Sequence, residues 1–189
     1  MRKFTKKFGT ILLAGSLLAT QMQGGLLANA SSYYADNSDV EDAYDDYYAE
    51  HYEDNNNYLG AQSGKIDLNG DSIDEMWVTY AYGVRGAYDF LCYKNGTVKK
   101  IKTFKGCCTV RYNEDKKQIC VLQSSGAADN SYTTYKFTGS KFKKIATYES
   151  SGTFKNDKLK MVYYKDKKRI SKSTYNKATR KYNNWDHLE

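Results

Sequence analysis

The alternation of apolar and polar positions along residues 65–148 predicts a protein built mainly of short β-strands. The runs are rich in Val, Ile, Thr, Tyr and Phe, which favour strands. In chain order they are "KIDL", "EMWVTYAY", "AYDFLCYK", "TVKKIKTF", "CCTVRY", "QICVLQSS", "SYTTYKF" and "KFKKIATY". The dipeptide Asn95–Gly96 between two of them is a strong signal for a tight hairpin. The later sequence "KLKMVYYKDKKRIS" predicts one more hairpin.

A helix is predicted on each side of these strands. "NSDVEDAYDDYYAEHYED" has the spacing of a capping box at Ser38 and Glu41. Its apolar stripe recurs every four residues, at Val40, Tyr44, Tyr48 and Tyr52. Near the C-terminus, "SKSTYNKATRKY" predicts a basic helix capped by Ser171 or Ser173.

A repeat of 44 residues divides the strands into two similar units. "YKNGTVKKIKTF" resembles "KFTGSKFKKIATY", which aligns Val98, Ile101 and Phe104 with Phe142, Ile145 and Tyr148. This period, with about four strands per unit, is typical of a propeller blade. The first two apolar residues of each unit are an odd number of positions apart. We therefore predict a β-bulge at the paired lysines, which would bring the three residues onto one face.

These patterns predict a mainly β fold of two antiparallel, blade-like four-stranded meanders with an N-terminal and a C-terminal helix. The arrangement is β-propeller-like but not closed, because two units are too few to complete a ring. Residues 31–63 hold the acidic, tyrosine-rich helix and a linker, and residues 64–189 hold the β domain with its C-terminal hairpin and helix. We expect both segments to form one globular unit.

The first thirty residues have the pattern of a secretory signal peptide. A basic start, "MRKFTKK", precedes the short apolar run "ILLAGSLLA", and "ANA" at 28–30 suits signal peptidase. We expect cleavage after Ala30, a secreted protein, and no transmembrane segment in the mature chain. Export permits disulfides.

Four cysteines are candidates for disulfide bonds. They are Cys92, Cys107, Cys108 and Cys120. Neighbouring residues of a strand point to opposite faces, so only one of Cys107 and Cys108 can face a given partner. Cys120 is the natural partner for one of them, although three complete pairings exist. No C-x-x-C spacing supports a thiolate metal site.

The charge is divided between the two ends of the chain. Residues 31–75 carry 13 acids and one lysine, whereas residues 76–189 carry 24 lysines and arginines and 9 acids. The simplest explanation of this charge distribution is that the acidic and the basic part of the chain attract each other. A basic surface for acidic glycans is the sharper alternative, and nucleic acid is disfavoured because no reader motif accompanies the charge.

The loop "DLNGDSIDE", residues 67–75, has the composition of a calcium site. Calcium takes six to eight oxygen ligands, many of them carboxylates at alternate positions of a tight loop. The residues at alternate positions of the loop would bind one calcium ion. They are Asp67, Asn69, Asp71 and Glu75 through their side chains and Ile73 through its backbone carbonyl. The alternative is an empty turn whose Asp and Asn side chains bond their own backbone.

"DLNGDSIDEMWV" resembles the calcium loop of FG-GAP or VCBS-type repeats, found in integrin-like propeller blades. The resemblance implies a structural calcium ion held by the five residues named above. Ser72 stands where that family has glycine, and the second unit has no matching loop. The layout of the mature chain also resembles small secreted proteins of Gram-positive anaerobes, a group that implies no particular activity.

The sequence favours a binding protein over an enzyme. No G-x-S-x-G, H-E-x-x-H or P-loop pattern occurs. We therefore expect a secreted, non-catalytic binding or adhesion-type module whose ligand is an extracellular glycan or protein. The candidate contact residues are the aromatic side chains Trp77, Tyr80 and Tyr82. The alternative is a secreted hydrolase that uses paired carboxylates on cell-wall or glycan material.

Overall fold

Strands dominate the computed structural model, which describes residues 37–53, 55–107, 109–126, 128–156 and 158–188. The predicted signal peptide, residues 1–30, lies outside these residues. The elements are α1 (Asn37–His51), β1 (Gln62–Ile66), β2 (Glu75–Tyr82), β3 (Arg85–Lys94), β4 (Thr97–Cys107), β5 (Thr109–Asn113), β6 (Gln118–Ser124), β7 (Asn130–Phe137), β8 (Phe142–Lys155), β9 (Lys158–Lys165), β10 (Lys168–Ile170), α2 (Lys172–Arg180) and β11 (Asp186–His187). The described residues belong to one compact unit.

Both predicted helices form. α1 buries its tyrosine stripe except for Tyr48, which is partly exposed. The side chain of Ser171 accepts a hydrogen bond from the Thr174 backbone N–H, so Ser171 rather than Ser173 caps α2. Among the described residues, no helix is long and apolar enough to cross a membrane.

The first sheet is an antiparallel meander in the order β1-β2-β3-β4. The hairpin between β3 and β4 turns at Asn95 and Gly96, whose φ angles are 53° and 76°. Positive φ at both central residues is the requirement of a type I′ turn. The predicted four-stranded meander and its hairpin are therefore confirmed.

The second sheet is larger than the predicted second meander. It has seven antiparallel strands in the order β10-β9-β8-β7-β6-β5-β11. The predicted closing hairpin adds β9 and β10 at one edge, and the chain returns after α2 to place β11 beside β5. The mainly β class with two open antiparallel sheets is confirmed, but the second sheet does not stop at four strands.

A β-bulge lies directly after each pair of lysines, one residue beyond its predicted position, and its effect differs from the prediction. The register of β4 with β3 shifts at Ile101, and that of β8 with β7 shifts at Ile145. Val98 packs on the α1 side of the first sheet, whereas Ile101 packs between the two sheets. The prediction of one shared face was wrong, because β4 has apolar surroundings on both faces.

Three clusters of buried side chains join the elements. The cluster between the sheets includes Leu68, Trp77, Phe90, Phe104, Val110, Ile119 and Phe137. A second cluster packs α1 on the other face of the first sheet. A third packs Tyr182 and Trp185, which follow α2, over Cys120 on the other face of the second sheet. The first sheet is therefore buried on both sides.

A half-buried ion pair between β3 and β4 lies beneath the residues that follow α1. Asp89 on β3 is fully buried, and its carboxylate lies 2.7 Å from Lys100 Nζ. It also accepts hydrogen bonds from the hydroxyls of Tyr52 (2.7 Å) and Thr103. Lys100 Nζ lies 5.3 Å and 5.7 Å from the ring centroids of Tyr52 and Tyr58. A buried carboxylate requires such partners.

Two of the four cysteines are free thiols inside the protein. Cys92 lies in the cluster between the sheets, and Cys120 is buried on the α2 side of the second sheet. The structure therefore does not form the predicted bridge from Cys120 to Cys107 or Cys108. Cys108 and the side chain of Cys107 lie outside the described residues. Burial raises the pKa of Cys120 to about 12, so its thiol stays protonated at neutral pH.

Candidate metal centre

The acidic loop, residues 67–75, runs from the end of β1 into β2 and contacts both sheets. Leu68 anchors it in the cluster between the sheets. From β5, the hydroxyl of Tyr112 donates a hydrogen bond to the Asp67 backbone carbonyl (2.8 Å). From the β5–β6 turn, Lys117 Nζ lies 3.3 Å from Asp67 Oδ2. The loop is thus a junction between the two sheets.

The predicted side-chain ligands are linked by short-range hydrogen bonds. Asp67 Oδ1 accepts from the backbone N–H groups of Asn69 (3.2 Å) and Gly70 (2.6 Å). The Asn69 side-chain amide donates to Asp71 Oδ2 (2.8 Å) and Glu75 Oε1 (3.2 Å). These bonds tie Asp67 to the backbone of the loop and join Asn69 to Asp71 and Glu75.

Glu75 is the buried acid of the loop. It is only 4% exposed, and Oε2 accepts a hydrogen bond from the Leu68 N–H (2.8 Å). Burial raises its pKa to about 8, and the negative charges of Asp71, Asp67 and Asp74 add to this effect. A cation bound beside Glu75 would offset both costs.

The outer part of the loop already contacts one cation. Burial alone would raise the pKa of Asp67, but the Gly70 N–H and the Lys117 ammonium outweigh it and lower the pKa. Lys117 contacts only Asp67 among the four ligand side chains in these hydrogen bonds and ion pairs. Its charge therefore stabilises one edge of the loop and leaves Glu75 in an acidic environment.

Ser72 has a backbone conformation that favours glycine. Its φ angle is 67°, in the left-handed region. This is the position at which the FG-GAP-type loop has glycine. A side chain in this region costs about 1–2 kcal/mol, so Ser72 adopts this conformation at an energetic cost.

We expect Ser72→Gly to stabilise the protein by about 1 kcal/mol, because glycine adopts positive φ without the clash of a Cβ atom. Chemical denaturation measures the change in unfolding free energy. Ser63→Gly is the control, because Ser63 lies in strand β1 and glycine weakens strands. A loss of stability in Ser72→Gly would contradict the account of the loop backbone.

The donor set suits a hard cation such as calcium. It consists of carboxylate, amide and carbonyl oxygens, which calcium prefers. Within the described part of the chain, no three or more His, Cys, Asp or Glu side chains are placed to hold a metal ion. The loop oxygens instead accept N–H groups of the loop itself, including that of Ile73 (3.0 Å, to Asp71). Calcium binding would have to replace some of these bonds.

An open polar groove of about 540 Å³ lies on the second sheet. The register places Gln123, Ser131, Glu149 and Tyr164 side by side on four neighbouring strands. Residues directly opposite one another share a face, so all four side chains lie on one surface. Gln123 Nε2 also donates to the Lys105 carbonyl of β4 (3.1 Å), next to the first sheet.

The remaining lining of the groove is also polar. It consists of Arg85, Ser124, Ser125, Asp129, Asn130, Ser150 and Ser151. Sequence reasoning missed this site because its residues come from separate strands. The sequence signal was confined to β6. Ile119, Val121 and Gln123 occupy every second position and so share one face, on which the apolar residues give way to a polar one.

No family model, curated protein or solved structure matches this chain. The interpretation of the groove and of the acidic loop therefore depends on their geometry alone.

The predicted aromatic contact residues do not form one exposed surface. Trp77 is buried between the sheets, and Tyr80 is buried on the α1 side. Only Tyr82, at the end of β2, is exposed, by 48%. Trp77 and Tyr80 are core residues, because β2 is covered on both faces.

Proposed function

We propose that the protein is a secreted, non-catalytic binding module that holds a glycan in the polar groove of its second sheet. The groove is the observation that carries this proposal, because it is open, spans four strands and is lined by residues of polar type. The expected export of the chain places its ligand outside the cell.

The chemistry of the groove matches that of a sugar. Glycan hydroxyl groups both donate and accept hydrogen bonds, and Gln123 and Ser131 have the same capacity. Glu149 supplies acceptors, and Arg85 supplies donors. Tyr164 adds an aromatic ring with a polar tip, a combination common at binding surfaces. An extracellular protein is the other ligand class that such a surface suits.

We propose that the acidic loop holds one structural calcium ion, as its resemblance to FG-GAP-type loops implies. The ion would supply the positive charge that Glu75 lacks and would make the junction between the sheets more rigid. Asp67, Asn69, Asp71, Glu75 and the Ile73 carbonyl would be its ligands. In the same proposal, the first meander has the architecture of one propeller blade of the FG-GAP-type repeats.

The groove proposal predicts that Glu149→Gln and Tyr164→Ala each weaken glycan binding by about tenfold or more, because each removes a direct contact worth about 1–3 kcal/mol. A glycan array identifies the ligand, and calorimetry then gives the dissociation constants. Tyr82→Ala is the matched control, because Tyr82 is exposed outside the groove.

An array without a glycan ligand would contradict the proposal, as would equal losses in Tyr82→Ala and Tyr164→Ala. Thermal melting of each variant separates loss of contact from loss of folding.

A hydrolase is the second candidate, because Asp129 and Glu149 line the same groove. Paired carboxylates are the usual catalytic groups of glycosidases. However, Asp129 Oδ1 already accepts the Gly152 backbone N–H (3.0 Å), a contact that holds β8. Release of reducing ends from a bound glycan, lost in Glu149→Gln, would support the hydrolase. Binding without release supports the module.

A further inference from the structure

The strands β8 and β9 extend beyond the rest of the second sheet. β7 pairs with β8 only as far as Ser150, and β10 pairs with β9 only at Tyr163–Lys165. Residues 151–155 and 158–162 therefore form strand pairs only with each other in the described part of the chain. Asp129 holds the base of this two-stranded arm through the Gly152 N–H. At about 3.3 Å per residue, the part beyond Gly152 projects roughly 10 Å.

The end of the arm has an exposed apolar pair. Phe154 and Leu159 face each other across the two strands and are 79% and 48% exposed. Cross-strand partners lie on the same face, so the two side chains form one small apolar surface. A two-stranded ribbon gains little stability by itself in water, and this one leaves its largest apolar side chains uncovered.

The arm is also basic. Lys155 and Lys158 are directly opposite each other, and Lys160 lies opposite Thr153. All three lysines are exposed, and Asp157 is the only acid between residues 151 and 163. Like charges placed opposite each other repel. An anionic surface would relieve this repulsion.

We propose that the tip of the arm docks on an anionic lipid surface. Phe154 and Leu159 would enter the boundary between headgroups and acyl chains. The lysines lie on the other face of the ribbon and would reach the anionic headgroups around the inserted tip. Lysine stems can lie along an apolar surface with their charges in water. Apolar side chains combined with basic ones are the composition that binds such an interface.

The geometry favours a lipid surface over an acidic protein. A specific protein interface buries about 800 Å² on each partner, much more than two side chains at a projecting tip can supply. Addition of a partner strand along β9 is opposed by Lys158 and Lys160, since lysines on an edge strand block strand pairing. A lipid surface is fluid and can accommodate Phe154 and Leu159 without a preformed pocket.

The test is co-sedimentation of the protein, collected after export from cells that express the full chain, with lipid vesicles. One set contains phosphatidylcholine alone, and the other contains phosphatidylcholine with phosphatidylglycerol. We expect at least about tenfold stronger binding to the anionic set. The double variant Phe154→Ser with Leu159→Ser should lose about tenfold or more of that binding.

Two charge variants complete the test. Replacing Lys155, Lys158 and Lys160 with glutamine should abolish the preference for anionic vesicles. Replacing Lys94, Lys136 and Lys177 with glutamine changes the net charge equally on other elements and should retain it. Equal losses in the two triple variants, or equal binding to both vesicle sets, would overturn the proposal. Capture of polyglutamate by the arm without vesicle binding would assign it to an acidic protein instead.

Discussion

Lys100→Met is expected to destabilise the protein by about 1–3 kcal/mol, because it leaves the buried Asp89 carboxylate without its cation, while the exposure of Lys100 lets water offset part of the loss. Asp89 is fully buried, and Lys100 Nζ lies 2.7 Å from its carboxylate. Without the ammonium, the carboxylate keeps hydroxyl groups as side-chain partners, those of Tyr52, Tyr80 and Thr103. These neutral donors cannot balance a buried negative charge.

Urea denaturation gives the change in unfolding free energy. Lys99→Met is the matched control, because Lys99 is an equally exposed neighbour of Lys100 that points to the other face of β4, and it should change stability by less than about 0.5 kcal/mol. The double variant Asp89→Asn with Lys100→Met should recover part of the loss, because it removes the unpaired charge. A loss below about 1 kcal/mol in Lys100→Met would contradict the role of this ion pair.

Glu75→Gln is expected to stabilise the metal-free protein by about 1–3 kcal/mol above pH 8, although it removes a carboxylate. The pKa of Glu75 is raised to about 8 by burial and by neighbouring acids. A carboxyl group whose pKa is higher in the folded state weakens folding as pH rises from its unfolded value toward its folded one. Above pH 8, the full free-energy cost of the buried Glu75 carboxylate is present. Glutamine is uncharged and therefore avoids this cost.

The measurement is denaturation at pH 6 and pH 9 in the presence of a chelator. The wild-type protein should lose more stability between these values than Glu75→Gln does. Asp74→Asn is the comparison, because Asp74 is an exposed acid of the same loop. A Glu75→Gln variant that is less stable than the wild type at pH 9 would show that the Leu68 N–H bond outweighs the charge.

The sequence predicted the parts of the fold that depend on short-range patterns. The hairpin at Asn95–Gly96 follows from turn chemistry, and α1 follows from its four-residue stripe. Bulges were predicted from the odd apolar spacing and occur at Ile101 and Ile145, although the shared face assumed in that argument does not exist. The acidic loop could be noticed because all its candidate ligands lie within nine residues.

The features that were missed depend on contacts between distant parts of the chain. β11 joins β5 only after α2 has crossed the second sheet, so the sheet size could not be inferred locally. Trp77 and Tyr80 are three positions apart and point to opposite faces of β2. Both are buried, because α1 covers one face of β2 and the second sheet covers the other. The groove side chains come from four separate strands.

The most direct test of the central claim is a thermal melt of the exported protein with millimolar calcium and with a chelator. Binding at 100 times the dissociation constant adds about 2.7 kcal/mol, which for a chain of this size raises the melting temperature by about 5–10 °C. Glu75→Gln should lose most of this shift. An unchanged wild-type melting temperature, or an equal shift in both proteins, would contradict a calcium ion at Asp67, Asn69, Asp71 and Glu75.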